Sequence, residues 1–339
     1  MSPRHWSSAF KKAVGISNNL LLQEVIGGKV DRLIPSVKKR NCNTAGFPAQ
    51  VSEKFMDGLP SKTALRVAMH RVAHQILDDP RIFDDPLALR VVGAGDAAAG
   101  QDLRQACLEE TPLSRVLRAS LAARSRYAED QVHAAVKKGV DQYVVLGAGL
   151  DTFAYRNLYS RDVLHVFEVD YPATQIWKRR CLEEAGIPIP PTLTFSPVDF
   201  ETQTLENGLR QTGFDTGKGA IFSWLGVTMY LTNSAINATL QLVASMPAGS
   251  GIVFDYMISS ALLHPSARMA FAGLAHRVAL VGEPFQTFFE PSALKAHLQA
   301  MGFREVIDLG PEEMDDLYFR GRTDKLQFGR LAHVIHARN

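Results

Sequence analysis

From Ser61 onward apolar residues recur at helical spacing. Ala64, Val67, Ala68, Val72 and Ile76 fall on one face, with Ser61 placed as the N-cap and Asp78-Asp79-Pro80 as the stop. Asp84-Asp85-Pro86 then reads as a cap that leads proline into the next helix, a structural role rather than a paired-carboxylate site. A long helical stretch covers residues 113–138. At Val144 the period changes. The apolar run Val144-Val145-Leu146 enters Gly147-Ala148-Gly149-Leu150-Asp151-Thr152, the pattern of a buried strand that turns sharply into a loop. Residues 164–170 form a second strand that closes on acids. Further strands are expected at 193–198, 220–225, 251–256, 305–309 and 331–336, with helices at 173–185, 233–245 and 291–301. Alternation of this kind implies an α/β fold, a mostly parallel sheet covered by helices on both faces.

Residues 1–55 stand apart. Positions 1–50 carry eight Lys or Arg against two acids, including Lys38-Lys39-Arg40, and a Gly/Asn/Pro-rich stretch runs through Phe47-Pro48. A short helix at 19–26 fits the pattern. Otherwise the segment reads as a basic, weakly ordered extension, a solvated tail rather than a targeting element, before a folded domain at 56–339.

The chain of 339 residues is 46% hydrophobic, enough to bury a sizeable core. A net charge of +2 offers no strong field to nucleic acid or to an acidic membrane surface. Cys42, Cys107 and Cys181 are odd in number and scattered, which suits neither a disulfide framework nor a zinc site and points to a reducing cytoplasm. No apolar run is long enough to span a bilayer, and the first residues lack a secretory signal pattern.

The chemistry centres on the glycine loop. Gly147 and Gly149 let backbone approach a ligand, and Asp170 follows about 20 residues later, where nucleotide-type folds place a ribose-binding carboxylate. Thr152 occupies the third glycine position of the dinucleotide fingerprint. That argues against a pyrophosphate and leaves room for a cofactor without one, such as S-adenosylmethionine. A nicotinamide oxidoreductase and a non-catalytic cofactor-binding protein are the alternative readings.

Ser61-Lys62-Thr63-Ala64, Phe83-Asp84-Asp85-Pro86, Ala123-Arg124, the glycine loop, Phe167-Glu168-Val169-Asp170-Tyr171-Pro172, the stretch from Trp224 to Leu231, and Gly282-Glu283-Pro284-Phe285 occur in the order seen in one family. From about residue 56 to the C-terminus the chain resembles the leucine carboxyl methyltransferase family, most of all its bacterial branch of S-adenosyl-L-methionine-dependent O-methyltransferases. The resemblance implies a class I methyltransferase-like, doubly wound sheet of seven strands with added N-terminal helices. It also implies roles for particular residues. Gly147 and Gly149 approach the methionine portion of the cofactor, and Arg124 takes its carboxylate, a task that suits a planar guanidinium. Asp170 takes the ribose, with Glu168 either sharing that work or facing the core. Asp199 and Phe200 serve the adenine. Asp151 and Thr152 fix the loop, and the cofactor's amino group is a further partner open to them. Where the family proper carries an acid after the fourth strand, this chain has Leu225. The family's best-known acceptor is a protein C-terminal carboxyl, but that departure argues against carrying it over; the acceptor expected here is a small-molecule carboxylate or hydroxyl, and Tyr230, His264 and His276 are the candidate acceptor-side groups. No metal site is expected.

Overall fold

The computed structural model describes residues 62–93, 111–199, 203–263 and 284–339, with positions 268–269, 271–273 and 275. The proposed extension at 1–55 and its helix, the Ser61 cap, Cys42, Cys107, Phe200, His264, His276, Gly282 and Glu283 lie outside the described residues.

The chain opens with helices α1 (Lys62–Leu77), α2 (Ala88–Val91) and α3 (Pro112–Val136). Strands and helices then alternate: β1 (Gln142–Leu146), α4 (Phe153–Arg156), β2 (His165–Asp170), α5 (Pro172–Glu184), β3 (Leu193–Pro197), α6 (Leu205–Gln211), β4 (Ala220–Trp224), α7 (Asn233–Ala244) and β5 (Gly251–Met257). The described chain ends with α8 (Pro291–Met301), β6 (Glu305–Leu309), α9 (Pro311–Tyr318) and β7 (Ala332–Arg338). The sheet order is β3-β2-β1-β4-β5-β7-β6. Five neighbouring strands, β3 to β5, run parallel, while β7 lies antiparallel between β5 and β6. The strand order therefore reverses between β1 and β4, which opens a crevice at the C-terminal ends of the two strands where open α/β sheets hold ligands.

The seven strands and their mostly parallel arrangement match the expectation from the sequence. Three helices did not stand out there. α4 is a single turn of four residues. α6 is short and carries Gly208, a weak helix former, while α9 is largely acidic and buries only Met314.

The sheet is apolar on both faces, as a covered parallel sheet must be. Val144, Phe167, Phe222 and Phe254 join residues of α6, α7 and α8 in one core layer, and Tyr143, Val145 and Val166 pack with Val132 and Phe153 in another. α3 starts cleanly because Thr111 accepts a hydrogen bond from the Ser114 amide and Pro112 fills the first turn. Asp85 has a structural role, as expected, but not as the helix cap: it accepts from the Leu87 amide at 3.2 Å in the turn before α2, whose N-cap is Leu87 with no side-chain cap bond. It also does more: fully buried, it receives the Arg71 guanidinium at 2.6 Å. Among the described residues no helix is long and apolar enough to cross a membrane.

Candidate functional site

A cavity of about 410 Å³ occupies the crevice, within the size range of small-molecule sites. Its floor is the loop after β1, its sides are the tips of β2 and β4, and α1 and α3 close over it. The apolar face of α1 thus has a second use, since Ala64, Val67 and Ala68 line the cavity.

Both loop glycines sit at positive φ, +65° for Gly147 and +45° for Gly149. A Cβ on Gly147 would lie 2.5 Å from Val227 Cγ2, and one on Gly149 would lie 3.1 Å from Ala64 Cβ. The glycines therefore allow the β4 loop and α1 to close on the strand tip, besides giving a ligand access to the backbone.

Asp170 ends β2 on the cavity wall. Its Oδ2 accepts from the Gly149 amide at 2.6 Å and its Oδ1 from the Tyr171 amide at 2.7 Å. Burial raises its carboxyl above the ordinary value, and the two amides offset only part of that. Glu168 faces the other way. It is buried against Lys178 at 2.7 Å, off the cavity lining, and burial pushes its carboxyl up to about 7 despite the lysine. Of the two readings for Glu168, the core-side one is what the structure shows.

Asp151 fixes the loop through a backbone amide, as expected, whereas the Thr152 hydroxyl is held by arginine side chains. Asp151 Oδ1 accepts from the Phe153 amide at 2.8 Å, and its Oδ2 accepts from Arg71 at 3.1 Å. Burial pushes the Asp151 carboxyl up, but the Arg71 guanidinium, with Lys178 and Arg156, holds it below the usual carboxylate range. Thr152 is buried and its Oγ1 accepts from Arg71 and Arg156.

Arg124 is no exposed helix arginine: only 8% of it is accessible. Its Nη1 donates to Asp255 Oδ2 at 2.5 Å, while the other carboxylate oxygen accepts from the Gly226 amide at 2.6 Å. The Arg124 Nε is buried without a hydrogen-bond partner among the described residues. Arg124 lines the cavity and keeps this one unmatched donor. Leu225 lines the cavity where the family proper carries an acid, and Asp255 supplies a carboxylate to Arg124 from the neighbouring strand.

Other expected residues scatter. Asp199 follows β3 but does not line the cavity. Tyr230 does line it, at the end of the turn Thr228–Tyr230, with its ring 5.5 Å from that of Phe285. Gln286, also on the lining, donates to the Tyr230 carbonyl at 2.8 Å.

Five lining or supporting residues went unread in the sequence: Arg71, Glu129, Tyr143, Ser223 and Asp255. Two of them carry a signal in hindsight. Asp255 is the acid in the otherwise apolar run Gly251–Met257, and Arg71 falls on the face of α1 marked by Val67 and Ala68. A charge in such a place needs a buried partner. The Tyr143 hydroxyl and Ser223 Oγ meet at 2.7 Å, and burial holds the phenol well above its ordinary value.

Comparison with known proteins fits this geometry. The model of the leucine carboxyl methyltransferase family matches residues 64–244, which span α1 through α7 and nearly all of the cavity walls. The chain belongs to the leucine carboxyl methyltransferase family. A Bacillus subtilis relative, provisionally named the S-adenosyl-L-methionine-dependent methyltransferase YktD, is 33% identical over 300 residues, covering 82% of this chain and 97% of the relative. A Mycobacterium avium protein, provisionally named as an S-adenosyl-L-methionine-dependent methyltransferase, is 30% identical over 226 residues, 65% of this chain and 68% of that one. The crystal structure of a provisionally assigned methyltransferase from Thermobifida fusca shares the fold, with a TM-score of 0.50 at 16% identity over 80% of this chain and 94% of the other.

The cofactor of these methyltransferases is S-adenosylmethionine, and the residues present fit it. The walls offer a glycine loop with backbone at the surface, a carboxylate at the β2 tip and a buried arginine with an unmatched Nε. Those are the partners that a ribose and an amino-acid carboxylate require.

Proposed function

We propose that this S-adenosylmethionine-dependent methyltransferase acts on an oxygen of a small molecule, a carboxylate or a hydroxyl. The observation that carries the reading is that the Gly147–Gly149 loop, Asp170 and Arg124 line one cavity. Asp170 takes the ribose hydroxyls. Arg124, whose Nη1 is held by Asp255 and whose Nε is unmatched, takes the methionine carboxylate. Asp199 and Phe200 remain proposed adenine partners on the strength of the family resemblance alone. The bound cofactor supplies an electrophilic methyl on a sulfonium centre, so the protein's contribution is position and electrostatics.

Size and charge support a small acceptor. On the acceptor side Leu225, Val227, Tyr230 and Pro284 give a largely apolar wall, and a net charge of +2 gives no basic surface for nucleic acid. A cytoplasmic location is part of the same proposal and rests on the scattered cysteines.

A carboxylate acceptor is ionised at neutral pH and needs no base, whereas a hydroxyl must lose its proton around the time of attack. Tyr230 is the described titratable candidate on that side. With a carboxylate acceptor, Tyr230→Phe leaves the single-turnover rate within a few-fold, while a drop of about 100-fold or more favours a hydroxyl acceptor.

The test is incubation of the protein with methyl-labelled cofactor and a metabolite extract. Label is expected in a low-mass product, as an alkali-labile ester or an alkali-stable ether. Label on nitrogen, on carbon or in macromolecules would overturn the reading.

A further inference from the structure

Behind the inner end of the cavity lies a network of buried charges. Arg71 contacts Asp85 at 2.6 Å and Asp151 at 3.1 Å, and Arg156 contacts Glu129 at 2.5 Å and Asp85 at 3.4 Å. Two guanidinium groups thus face three carboxylates, which leaves one formal negative charge in excess. None of the five side chains is more than 23% exposed. An unbalanced charge in so dry a place is costly. Lys178 also acts on Asp151 but is paired with Glu168, and Asp85 is sealed off, so a further cation can reach the network from the cavity at Glu129 and Asp151, both of which line it.

A second observation gives the balancing group its chemistry. Arg124, Ser125, Ala128 and Glu129 line the cavity from one face of α3. Arg124 and Glu129 are five residues apart, about 7.5 Å along the helix axis, with the small Ala128 leaving room between them. One end of this stripe is a buried guanidinium with an unpartnered Nε, and the other is a carboxylate in a network short of one cation. A cationic end beside an anionic one matches a zwitterion, an α-amino acid group.

We propose that Glu129, aided by Asp151, is the counter-charge for the α-ammonium of the bound cofactor, while Arg124 holds the carboxylate of the same amino-acid tail. The proposal rests on the S-adenosylmethionine reading and extends it to a residue on α3. Glu129 is pre-aimed by Arg156, whose Nη1 and Nη2 grip its two oxygens while its Nε is tied to Thr152. Burial pushes the Glu129 carboxyl above the ordinary range, Arg156 opposes this, and Asp151 adds to the rise, as expected where two acids share a site short of a cation.

The experiment is calorimetric titration with two probes, S-adenosylhomocysteine and its desamino analogue, in which hydrogen replaces the α-ammonium. The wild-type protein is expected to prefer the amine-bearing probe by about 10- to 100-fold, the worth of a charge-assisted contact. Glu129→Gln should cut that preference by about tenfold. Asp170→Asn should weaken both probes alike and leave the ratio intact. The ratio separates recognition from stability, because a merely distorted site loses both probes together. Should Glu129→Gln fail to fold, Asp151→Asn gives the same reading. An unchanged ratio in the folded variant overturns the proposal, as does a wild-type protein indifferent to the amine. Failure of the wild type to bind either probe would instead overturn the cofactor reading beneath it.

Discussion

Arg124 and Asp255 stand 131 positions apart in the chain and meet at 2.5 Å. The pair joins α3 to β5, and the second oxygen of Asp255 holds the amide of Gly226 on the β4 loop. Thr228 adds a further tie by donating to the Asp255 carbonyl at 2.7 Å. One carboxylate residue thus anchors the arginine on the cofactor side and the turn that carries Tyr230 on the acceptor side.

Breaking that pair from one end strands a buried charge. Asp255→Ala is expected to destabilise the protein by about 3–5 kcal/mol, while replacing both partners with apolar residues of similar volume costs much less. Denaturant midpoints for the single and double variants check this. Equal losses for the two would show that the charge pairing is unimportant.

Gly147→Ala meets two obstacles. Its φ of +65° is unfavourable for an L-residue, and the new methyl would sit 2.5 Å from Val227 Cγ2. A loss of about 1–3 kcal/mol is expected. Adding Val227→Ala should recover the steric part and leave about 1–2 kcal/mol of backbone strain. Full recovery in the double variant would show that the left-handed backbone carries no cost there.

Acid weakens the fold through two buried histidines. Burial, followed by Arg66 and Arg118, lowers His70 to about 3; burial, followed by Arg338 and Lys138, lowers His336 to about 3. His336 Nε2 accepts from Arg338 Nε at 2.9 Å, so a second proton there would face a cation. In the unfolded chain a histidine titrates near the ordinary value of about 6.5. Between these limits the unfolded state binds protons that the folded state refuses, so stability falls as pH drops below about 6.5, by up to about 1.4 kcal/mol per pH unit for each histidine. Glu168 acts in the opposite sense. Its folded value of about 7 lies above the ordinary carboxylate range, so its contribution declines as pH rises through that interval. His336→Gln should flatten the acid limb of stability measured by urea unfolding at a series of pH values. An unaltered slope would place the histidine's titration at its ordinary value in the folded state.

The backbone plan was more legible in the sequence than the electrostatics. Strand periodicity marked all seven strands, and the run into Gly147 marked the crevice, because these signals lie within a few adjacent residues. Asp151 and Asp170 were legible for the same reason, each being close in sequence to the loop it serves. Glu129 and Arg71 were not. On a helix they look like solvated charges until the partners that bury them, Arg156 and Asp85, are brought up by the fold. Leu225 showed that the family's acid was missing just after β4, but only the pairing of β4 with β5 brings Asp255 to that end of the sheet.

The family match starts at residue 64, and residues 1–55 are proposed to lie apart from the folded domain. Deleting them is expected to shift Tm by less than about 3 °C, under about 2 kcal/mol for a domain of this size. A larger fall would mean that the basic segment packs on the core.

Calorimetric titration of the full-length protein with S-adenosylmethionine and, separately, with NAD tests the cofactor assignment on which the account depends. Saturable binding of S-adenosylmethionine, weakened by about 1–3 kcal/mol in Asp170→Ala, with no heat from NAD, is the result expected from a glycine loop that carries Thr152 and faces Asp170. Saturable binding of NAD with none of S-adenosylmethionine would contradict it.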